Sequence, residues 1–352
     1  MCLYPRKMIN KKYTVTEKNG GCVPTMPITG KDEYGHNIYD TRIAYVQIPC
    51  GHCSECRKEK SREWQVRLTE EIREQWKYKY FVTLTFSNQA LINIHKKTGL
   101  GQDSNDIAKY AVRHMLEKYR KQYKHSLRHW LITELGHEGT ERIHLHGILF
   151  SNEKLEFEPT EEKYFYTWKH WKYGNIYVGD YVTTRTVNYI IKYVNKIDKD
   201  HPGFEGKILT SPGIGKSFLE REISKTYKYI PKQSKDYYRL ENGAKIALPT
   251  YYKNKRYNEN ERELIWREKM DQQEQKEIIA GNIYDLHSTR TEELSNVLNK
   301  AQEINIKLGY GDNSAAFRKR NYSTWNMLSH AEKLEILEKN RKKIQKNLHK
   351  SK

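Results

Sequence analysis

The sequence has no run of apolar residues long enough to cross a membrane, which would need about 18 consecutive apolar residues. Its first residues, MCLYPRKMINKK, also lack the apolar core of a secretory signal. Cysteine is scarce, with five residues among 352. An odd number of cysteines in a long chain argues against a disulfide framework and favours reduced thiols or a metal site. We therefore expect a cytosolic protein with no membrane partner.

Acidic residues are in deficit. The chain has 63 Lys and Arg against 44 Asp and Glu, a formal net charge of +19. This surplus attracts polyanions through counterion release, and 27 tyrosines offer ring faces on which unpaired bases can stack. The composition predicts a nucleic-acid partner, with non-specific adhesion to RNA or membranes as the alternative.

The hydrophobic pattern predicts an α+β fold in which helices flank a central antiparallel sheet. The runs KYFVTLTF, HWLITEL, RIHLHGILF and NIYVGDYV are typical of strands. The glycines of GHEGTE indicate that the second and third runs form a hairpin. Amphipathic helices are predicted after Cys56, over about residues 106–125, and after Thr183 and Thr184.

We predict three consecutive segments. Residues 1–75 form an irregular N-terminal part that ends in the first helix, and residues 76–250 form the main domain. Residues 251–352, rich in Glu, Lys, Gln and Arg, form a charged helical accessory region. Its end is basic, since no acidic residue follows Glu338.

The run RIHLHGILF places two histidines on one face of a strand. Side chains two residues apart on a strand point to the same side, so His144 and His146 project together. Glu134 on the preceding strand is the candidate third ligand. Such a nitrogen and oxygen set suits Mg²⁺, Mn²⁺ or another divalent ion that acts as a Lewis acid on a phosphate. The alternative is an ordinary polar strand surface.

The run YIIKYVNK spaces two tyrosines and a lysine along one helical stripe. Because each helical residue turns by roughly 100°, Tyr189, Tyr193 and Lys196 face one side. The core stripe of the same helix comprises Val187, Ile190, Ile191, Val194 and Ile197. A tyrosine hydroxyl can attack a phosphodiester to give a phosphotyrosine and a free hydroxyl, and Lys196 can stabilise the developing charge. The alternative is an ordinary exposed helix face.

Three motifs, FVTLTF, IHLHGILF and YIIKYVNK, occur in an order that resembles the HUH endonucleases that initiate rolling-circle replication. The spacing Tyr-x-x-x-Tyr-x-x-Lys resembles the initiators of small single-stranded DNA phages. The stretches MCLYP, PCGHCSECRKEKSREWQVRL and SPGIGKS resemble, more narrowly, the initiators of gokushovirus-type Microviridae. The resemblance spans about residues 2–217. Ile143 stands where a proline is common in the family, and TELG replaces Gly-Glu-Tyr-Gly.

The resemblance implies a metal-dependent, site-specific endonuclease and ligase with an HUH fold, acting on single-stranded and origin DNA in the host bacterial cytoplasm. His144, His146 and Glu134 would bind Mg²⁺ or Mn²⁺, Tyr193 and Tyr189 would be the nucleophiles, with Tyr193 first, and Lys196 would assist. The intermediate would be a 5′-phosphotyrosine, so rejoining would need no ATP and no nucleotide cofactor. Host helicase and polymerase are the expected partners.

Three cysteines lie close together in CGHCSEC. Cys50, Cys53 and Cys56 would suit a structural zinc ion, with Cys2, Cys22 or His52 as the fourth ligand; unliganded thiols or an iron–sulfur cluster are the alternatives. A zinc-stabilised nucleic-acid-binding protein without catalysis therefore stays a rival prediction, as does a plasmid relaxase or transposase with the same chemistry.

Two further features bear on nucleic-acid binding. The run TSPGIGKSF has Thr210 where a P-loop needs glycine, so it is interpreted as a turn whose Lys216 and backbone amides approach DNA phosphates. Trp168, Trp171 and Arg185 are candidates for stacking on or pairing with single-stranded DNA.

Overall fold

The computed structural model describes residues 1–100, 103–137, 141–179, 181–273 and 276–312. The predicted basic end after Glu338 lies outside these residues. The described residues group into two compact units: residues 1–63 with those from 221 onward, and residues 64–220. This grouping differs from the three consecutive segments predicted above, because the later part of the chain returns to pack with the N-terminal part.

The strands and helices of the described residues are numbered in chain order. The strands are β1 Arg6–Ile9, β2 Ile28–Lys31, β3 Asn37–Tyr39, β4 Tyr45–Ile48, β5 Tyr78–Leu84, β6 Arg128–Leu135, β7 Ile143–Ser151, β8 Glu158–Pro159, β9 Phe165–Trp168, β10 Trp171–Gly179, β11 Ile208–Thr210, β12 Tyr237–Arg239, β13 Lys245–Ala247, β14 Lys276–Ile279 and β15 Asn282–Asp285. The α-helices are α1 Ser54–Ile72, α2 Asn88–Thr98, α3 Ser104–Tyr123, α4 Thr184–Asn195, α5 Thr250–Arg256, α6 Glu259–Gln273 and α7 Thr291–Lys307.

The unit of residues 64–220 is built on an antiparallel sheet. Among the described residues its strand order is β11-β6-β7-β5-β10-β9-β8, and every neighbouring pair is antiparallel. The predicted hairpin is β6 and β7, which pair in register from Arg128 opposite Phe150 to Leu135 opposite Ile143. The predicted α+β class is therefore confirmed, with β7 inside the sheet between β6 and β5.

The two faces of this sheet bury separate cores because side chains alternate along each strand. One face packs against α2 and α3 through residues such as Leu131, Leu145 and Met115. The other packs against α1 and α4 through residues such as Trp130, Ile132 and Ile148. The second face is also the face of Glu134, His144 and His146, so α4 is the helix that lies over them.

The hydrophobic pattern does not predict one of the helices. Helix α2 begins after Ser87, whose side chain accepts a hydrogen bond from the Ala90 backbone N–H at 3.2 Å. It ends at Gly99, whose φ of 71° is easily reached only by glycine. Its buried face consists of Ala90, Leu91 and Ile94, too few apolar residues to give a clear period.

The loop SPGIGKS is tied to the unit by a buried carboxylate. Glu71 is fully buried, and its two oxygens accept hydrogen bonds from the Arg128 guanidinium at 2.7 and 2.9 Å. It also accepts from the Gly215 N–H at 2.6 Å and from Trp76 Nε1 at 3.2 Å. The prediction that the amides of this loop approach DNA phosphates is therefore wrong for Gly215, whose N–H is bound by the protein's own carboxylate.

Removal of this carboxylate should destabilise the unit strongly. We expect Glu71→Ala to lower the free energy of unfolding by about 3–5 kcal/mol, because it leaves a part-buried guanidinium without its partner. Glu161→Ala, at an exposed position, is the matched control and should change it by less than about 0.5 kcal/mol. Urea unfolding followed by circular dichroism measures both, and equal midpoints would contradict the expectation.

The other unit contains short hairpins and the later helices. Strand β1 pairs with β4, β2 with β3, β12 with β13 and β14 with β15. The side chains of β1 to β3 are exposed, so no alternation marks them, which is why the pattern predicts an irregular segment there. The two ends of this unit meet where the Gln302 side chain donates to the Leu3 carbonyl at 2.8 Å. Arg267 likewise bonds the buried Asp40 at 3.0 Å.

Within the part of the chain that the structure describes, none of the helices combines the length and the apolar character needed to span a bilayer.

Candidate functional site

The candidate metal ligands come together on the central strands. Residues Glu134 and His144 are directly opposite each other in the β6–β7 pairing, and His146 lies two residues further along β7. Gly147 next to it is required by the close approach of β6, since a Cβ at this position would lie 2.1 Å from the Trp130 carbonyl oxygen. The predicted trio is thus gathered by strand register alone.

The ligand atoms of the trio converge on one carboxylate oxygen. Oε2 of Glu134 lies 3.2 Å from His144 Nε2 and 2.9 Å from His146 Nε2. The side chains are only 12% exposed for Glu134 and His146 and 21% exposed for His144. They therefore form a recess that is shielded but open to solvent.

The other nitrogen of each imidazole is bound by the protein. His144 Nδ1 lies 3.2 Å from the Arg142 carbonyl, and His146 Nδ1 lies 3.0 Å from Thr83 Oγ1 on β5. Such contacts fix the ring orientation and direct Nε2 toward the shared centre. The sequence analysis missed Thr83, although its position in FVTLTF, two residues from Phe81, places it on the same face.

The charges of the trio favour an ionised carboxylate and neutral imidazoles. Burial by itself would raise the pKa of Glu134, but hydrogen bonds from His144, His146 and Lys196 hold it well below its usual value. Burial lowers the pKa of His146. A carboxylate with neutral imidazoles is the ionisation state in which these groups bind a divalent ion.

Helix α4 carries the two tyrosines onto the trio. It begins at Thr183, whose side chain forms a capping box with Thr186. The predicted core stripe is buried, apart from a partly exposed Ile197: Val187, Ile190, Ile191 and Val194. Tyr189 and Tyr193 lie outside that stripe, as their spacing predicts.

The Tyr193 ring stacks on a metal-ligand imidazole. Its centroid lies 4.3 Å from that of His146, with 17° between the planes. The Tyr189 and Tyr193 hydroxyl oxygens lie 2.8 Å apart, and Phe81 packs edge-on against Tyr189 at 5.9 Å. The phenols and the imidazole pair therefore share one site, as the sequence analysis requires.

Burial and the neighbouring Tyr189 hydroxyl raise the pKa of Tyr193. Its phenol is therefore neutral at physiological pH. A reaction in which it acts as a nucleophile must remove its proton as the new bond forms.

Lys196 reaches the site by a different route from the one predicted. The helix ends at Asn195, and Lys196 has an extended backbone with φ −62° and ψ 132°. It therefore does not continue the tyrosine stripe on the helix. Its Nζ instead bonds Glu134 Oε1 and lies 5.8 Å from the Tyr193 ring centroid. The structure brings Lys196 to the site because the chain turns away from the helix there.

The second candidate metal centre is a cluster of thiols at Cys2, Cys50, Cys53 and Cys56. Their sulfur atoms lie within 4.8 Å of one another, with Cys50 to Cys56 at 3.9 Å and Cys53 to Cys2 at 4.0 Å. Sulfur atoms around tetrahedral zinc, with bonds of about 2.3 Å, are separated by about 3.8 Å. Cys2 is thus the fourth member, whereas Cys22 is exposed and His52 does not belong to the group.

The thiol cluster supplies its own hydrogen-bond donors. Backbone N–H groups of Tyr4 and Cys50 donate to Cys2 Sγ at 3.3 and 3.2 Å, and the Cys53 N–H donates to Cys50 Sγ at 3.3 Å. The hydrogen bond with the Cys56 thiol lowers the pKa of Cys53 to about 4. A thiolate held by backbone donors is the form in which cysteine binds zinc.

Two predicted nucleic-acid contacts are excluded by burial. Trp168 is 3% and Trp171 is 2% exposed, both in the core under α2 and α3, and the Trp171 indole donates to the Thr85 carbonyl at 2.9 Å. The prediction that they stack on DNA is therefore wrong. These aromatic residues end β9 and start β10, and the local pattern carries no sign of which face is buried. Arg185 is exposed at the start of α4.

Comparisons with known proteins point to one group. Residues 79–198 match a family model described as replication-associated protein ORF2. The matched range contains Glu134, both histidines, both tyrosines and Lys196. No solved structure matches this chain.

One curated relative is the replication-associated protein ORF2 of Spiroplasma virus 4. The two chains are 28% identical over 210 residues, which cover 54% of this chain and 63% of the relative. The chain thus spans less than two thirds of that protein's length.

Proposed function

We propose that this protein is a phage replication initiator: a metal-dependent nicking and joining endonuclease of the HUH type that acts on single-stranded origin DNA. The observation that carries the proposal is the contact between the tyrosine pair of α4 and the Glu134, His144 and His146 trio. The similarity to replication-associated proteins and the three motifs in order support it.

The donor set of the trio fits Mn²⁺ or Mg²⁺. Ligand atoms in neighbouring octahedral positions at about 2.1 Å from an ion are about 3.0 Å apart. The distances of 2.9 and 3.2 Å from Glu134 Oε2 to the two imidazoles match this value. A divalent ion held here would supply Lewis-acid activation of a phosphate.

The Thr83 contact to His146 gives a test of that site. We expect Thr83→Val to weaken Mn²⁺ binding about 10- to 100-fold, because it removes the hydrogen bond that orients the imidazole without changing the side-chain shape. Thr167→Val, at an exposed position on β9, is the matched control. Titration with Mn²⁺ followed by electron paramagnetic resonance measures free ion directly, and equal affinity in the two variants would contradict the assigned geometry.

Tyr193 is proposed as the first nucleophile. Its Oη attacks the phosphorus, the new bond between Oη and phosphorus forms, and the bond from phosphorus to the 3′ oxygen breaks. The phenol proton is balanced by the proton that the departing 3′ oxygen takes up. The products are a 5′-phosphotyrosine and a 3′ hydroxyl.

Lys196 is proposed to assist this step. In the structure its ammonium group lies on the Glu134 carboxylate and next to the Tyr193 ring. A cation at this position stabilises the charge that develops on the phosphate oxygens.

Tyr189 is proposed as the second nucleophile. Its hydroxyl lies 2.8 Å from that of Tyr193, and its side chain is about half exposed at 47%. A second strand could therefore be cut while the first stays attached. Because each transfer exchanges one phosphodiester bond for another, rejoining needs no ATP.

In this proposal the 3′ hydroxyl primes the host polymerase, a host helicase opens the duplex, and the reaction takes place in the host bacterial cytoplasm. The thiol cluster would hold a structural zinc ion. The net charge of +19 would supply the sequence-independent attraction to DNA.

Two rival functions share part of this evidence. A plasmid relaxase or transposase would use the same chemistry, although relaxases commonly place the tyrosine before the metal motif and here it follows. A zinc-stabilised nucleic-acid-binding protein would have the charge and the thiols without catalysis. Stacking of Tyr193 on His146 favours the enzyme, since DNA binding alone does not require it.

The proposal is tested by mixing the full chain with labelled single-stranded oligonucleotides that tile the replicon encoding it, in the presence of Mn²⁺. We expect one oligonucleotide to give a protein–DNA adduct and a shorter fragment on a denaturing gel. A chelator should abolish both, and His144→Ala should lower adduct formation by more than about 100-fold, because it removes a ligand itself. Salt-sensitive binding with no adduct from any oligonucleotide would support the non-catalytic rival.

A further inference from the structure

A third group of metal-ligating side chains lies beside the candidate active site and takes no part in the proposed reaction. It comprises His137, Asp198 and His201, whose ligand atoms lie within 4.8 Å of one another. Asp198 and His201 are buried, and the His137 side chain is 33% exposed. No sequence motif points to this group, because its members come from two separate loops.

The spacing of its donor atoms fits a small transition-metal ion. Asp198 Oδ2 lies 2.9 Å from His201 Nδ1 and 4.0 Å from His137 Nε2. Nitrogen and oxygen atoms bound to tetrahedral zinc at about 2.0–2.1 Å are about 3.3–3.4 Å apart. The two distances bracket that value, and modest side-chain shifts would equalise them.

The surroundings of the group orient it as the outer partners of a metal site do. His137 Nδ1 lies 2.6 Å from an oxygen of Asp200, the carboxylate–histidine arrangement that directs the opposite nitrogen, Nε2, toward a metal. Asp198 Oδ1 accepts the backbone N–H groups of Asp200 and His201 at 3.1 and 3.0 Å. These bonds hold one carboxylate oxygen and leave Oδ2 facing the two imidazoles.

We propose that His137, Asp198 and His201 bind a second divalent ion, zinc, separate from the Glu134, His144 and His146 site. Two imidazoles and one carboxylate form a donor set that zinc accepts readily. The remaining coordination position faces the side where Glu141 Oε2 lies 3.8 Å from His201 Nε2.

The consequence of such an ion is a clamp on the active site. His137 follows the strand that carries Glu134, while Asp198 follows Lys196 by two residues. Asp198 also lines the same small cavity as Glu134, Tyr193 and Lys196. An ion shared by His137 and Asp198 would therefore hold the segment after Lys196 against the strand of Glu134, and with it the position of the lysine.

The test counts zinc in the full chain. Wild type, His137→Ala, Asp198→Asn and His144→Ala proteins are equilibrated with the same zinc buffer, and bound zinc per chain is measured by mass spectrometry. We expect His137→Ala and Asp198→Asn each to hold one zinc fewer than wild type. His137→Ala combined with His144→Ala should lose one more than either single variant, which separates this ion from the one at the reaction site.

The matched control is His125→Ala. His125 is a half-exposed histidine that also bonds a carboxylate, Glu153, at 2.9 Å, but it belongs to none of the metal-ligating groups found among the described residues. We expect this variant to hold as much zinc as wild type. Cobalt substitution reports on folding, because the thiolate-to-cobalt absorption of the cysteine cluster should be unchanged in all of these variants.

A second readout follows the clamp itself. Zinc should slow amide hydrogen exchange over residues 197–207 in wild type and in His125→Ala but not in His137→Ala. Equal zinc content in wild type, His137→Ala and Asp198→Asn would overturn the proposal and identify the group as a hydrogen-bonded network. A double variant that loses no more zinc than a single one would also overturn it, since the two clusters would then share one ion.

Discussion

Tyr193→Phe is expected to lower formation of the protein–DNA adduct by at least about 10³-fold, since it removes the attacking oxygen and leaves only binding and positioning. The variant keeps the aromatic ring that stacks on His146 at 4.3 Å, so the metal site and the fold should be retained. Circular dichroism and Mn²⁺ affinity should therefore match those of the wild type. Adduct is quantified on a denaturing gel with the oligonucleotide identified above.

The two tyrosines are distinguished by where the label is found. In the wild type, mass spectrometry of the digested adduct should place the nucleotide on Tyr193 after a single turnover. We expect Tyr189→Phe to retain the first cleavage and to lose the second transfer, whereas Tyr189→Phe with Tyr193→Phe should give no adduct. The preference for Tyr193 follows from its contact with His146 and its proximity to Lys196.

Tyr181→Phe is the matched control for these variants. Tyr181 lies just before α4, and its side chain is 81% exposed, so its hydroxyl should contribute nothing to the reaction. Normal adduct yield in the Tyr189 and Tyr193 double variant would show that another group is the nucleophile, and the proposed mechanism would fail.

Cys53→Ser is expected to release one zinc ion per chain and to unfold the unit of residues 1–63 with those from 221 onward. Structural zinc in small domains contributes an apparent free energy of about 10–16 kcal/mol at neutral pH, which is also folding free energy. Cys53 is fully buried and packs with Leu3 and Cys56. The unit thus loses both a ligand and the ion that gathers the cluster.

The chain provides its own control in Cys22, which is exposed and lies outside the thiol cluster. Cys22→Ser should retain the zinc and the melting temperature of the wild type. Zinc is measured by mass spectrometry after dialysis, and unfolding by differential scanning calorimetry with and without a strong chelator. A wild-type chain that contains no zinc at the cluster, or a Cys53→Ser chain that melts like Cys22→Ser, would contradict the zinc assignment.

Sequence patterns were most informative where chemistry depends on local period. Alternation along β7 put His144 and His146 on one face, and the helical turn put Tyr189 and Tyr193 on one stripe away from the core stripe of α4. The hairpin of β6 and β7 brought Glu134 opposite His144. These relations follow from strand and helix geometry within a few residues, so they could be predicted without coordinates.

Other parts of the site depend on contacts between distant segments. Lys196 is predicted on the helix stripe but reaches Glu134 because α4 ends one residue earlier. Thr83 is a partner of His146 only through the pairing of β5 with β7. The tryptophans at positions 168 and 171 lie in the core, where the chain's interior rather than DNA covers them.

Local patterns were thus enough to establish which side chains share a strand face or a helix stripe, and with them the two histidines, the two tyrosines and the three neighbouring cysteines. Which faces meet became known only from the packed chain: that Tyr193 lies on His146, that Cys2 rather than Cys22 joins the thiols, and that His137, Asp198 and His201 gather at all. The physical reason is that backbone geometry repeats over two to four residues and can be read locally. Contacts between distant segments are instead set by the burial of whole surfaces, which no short stretch of sequence encodes.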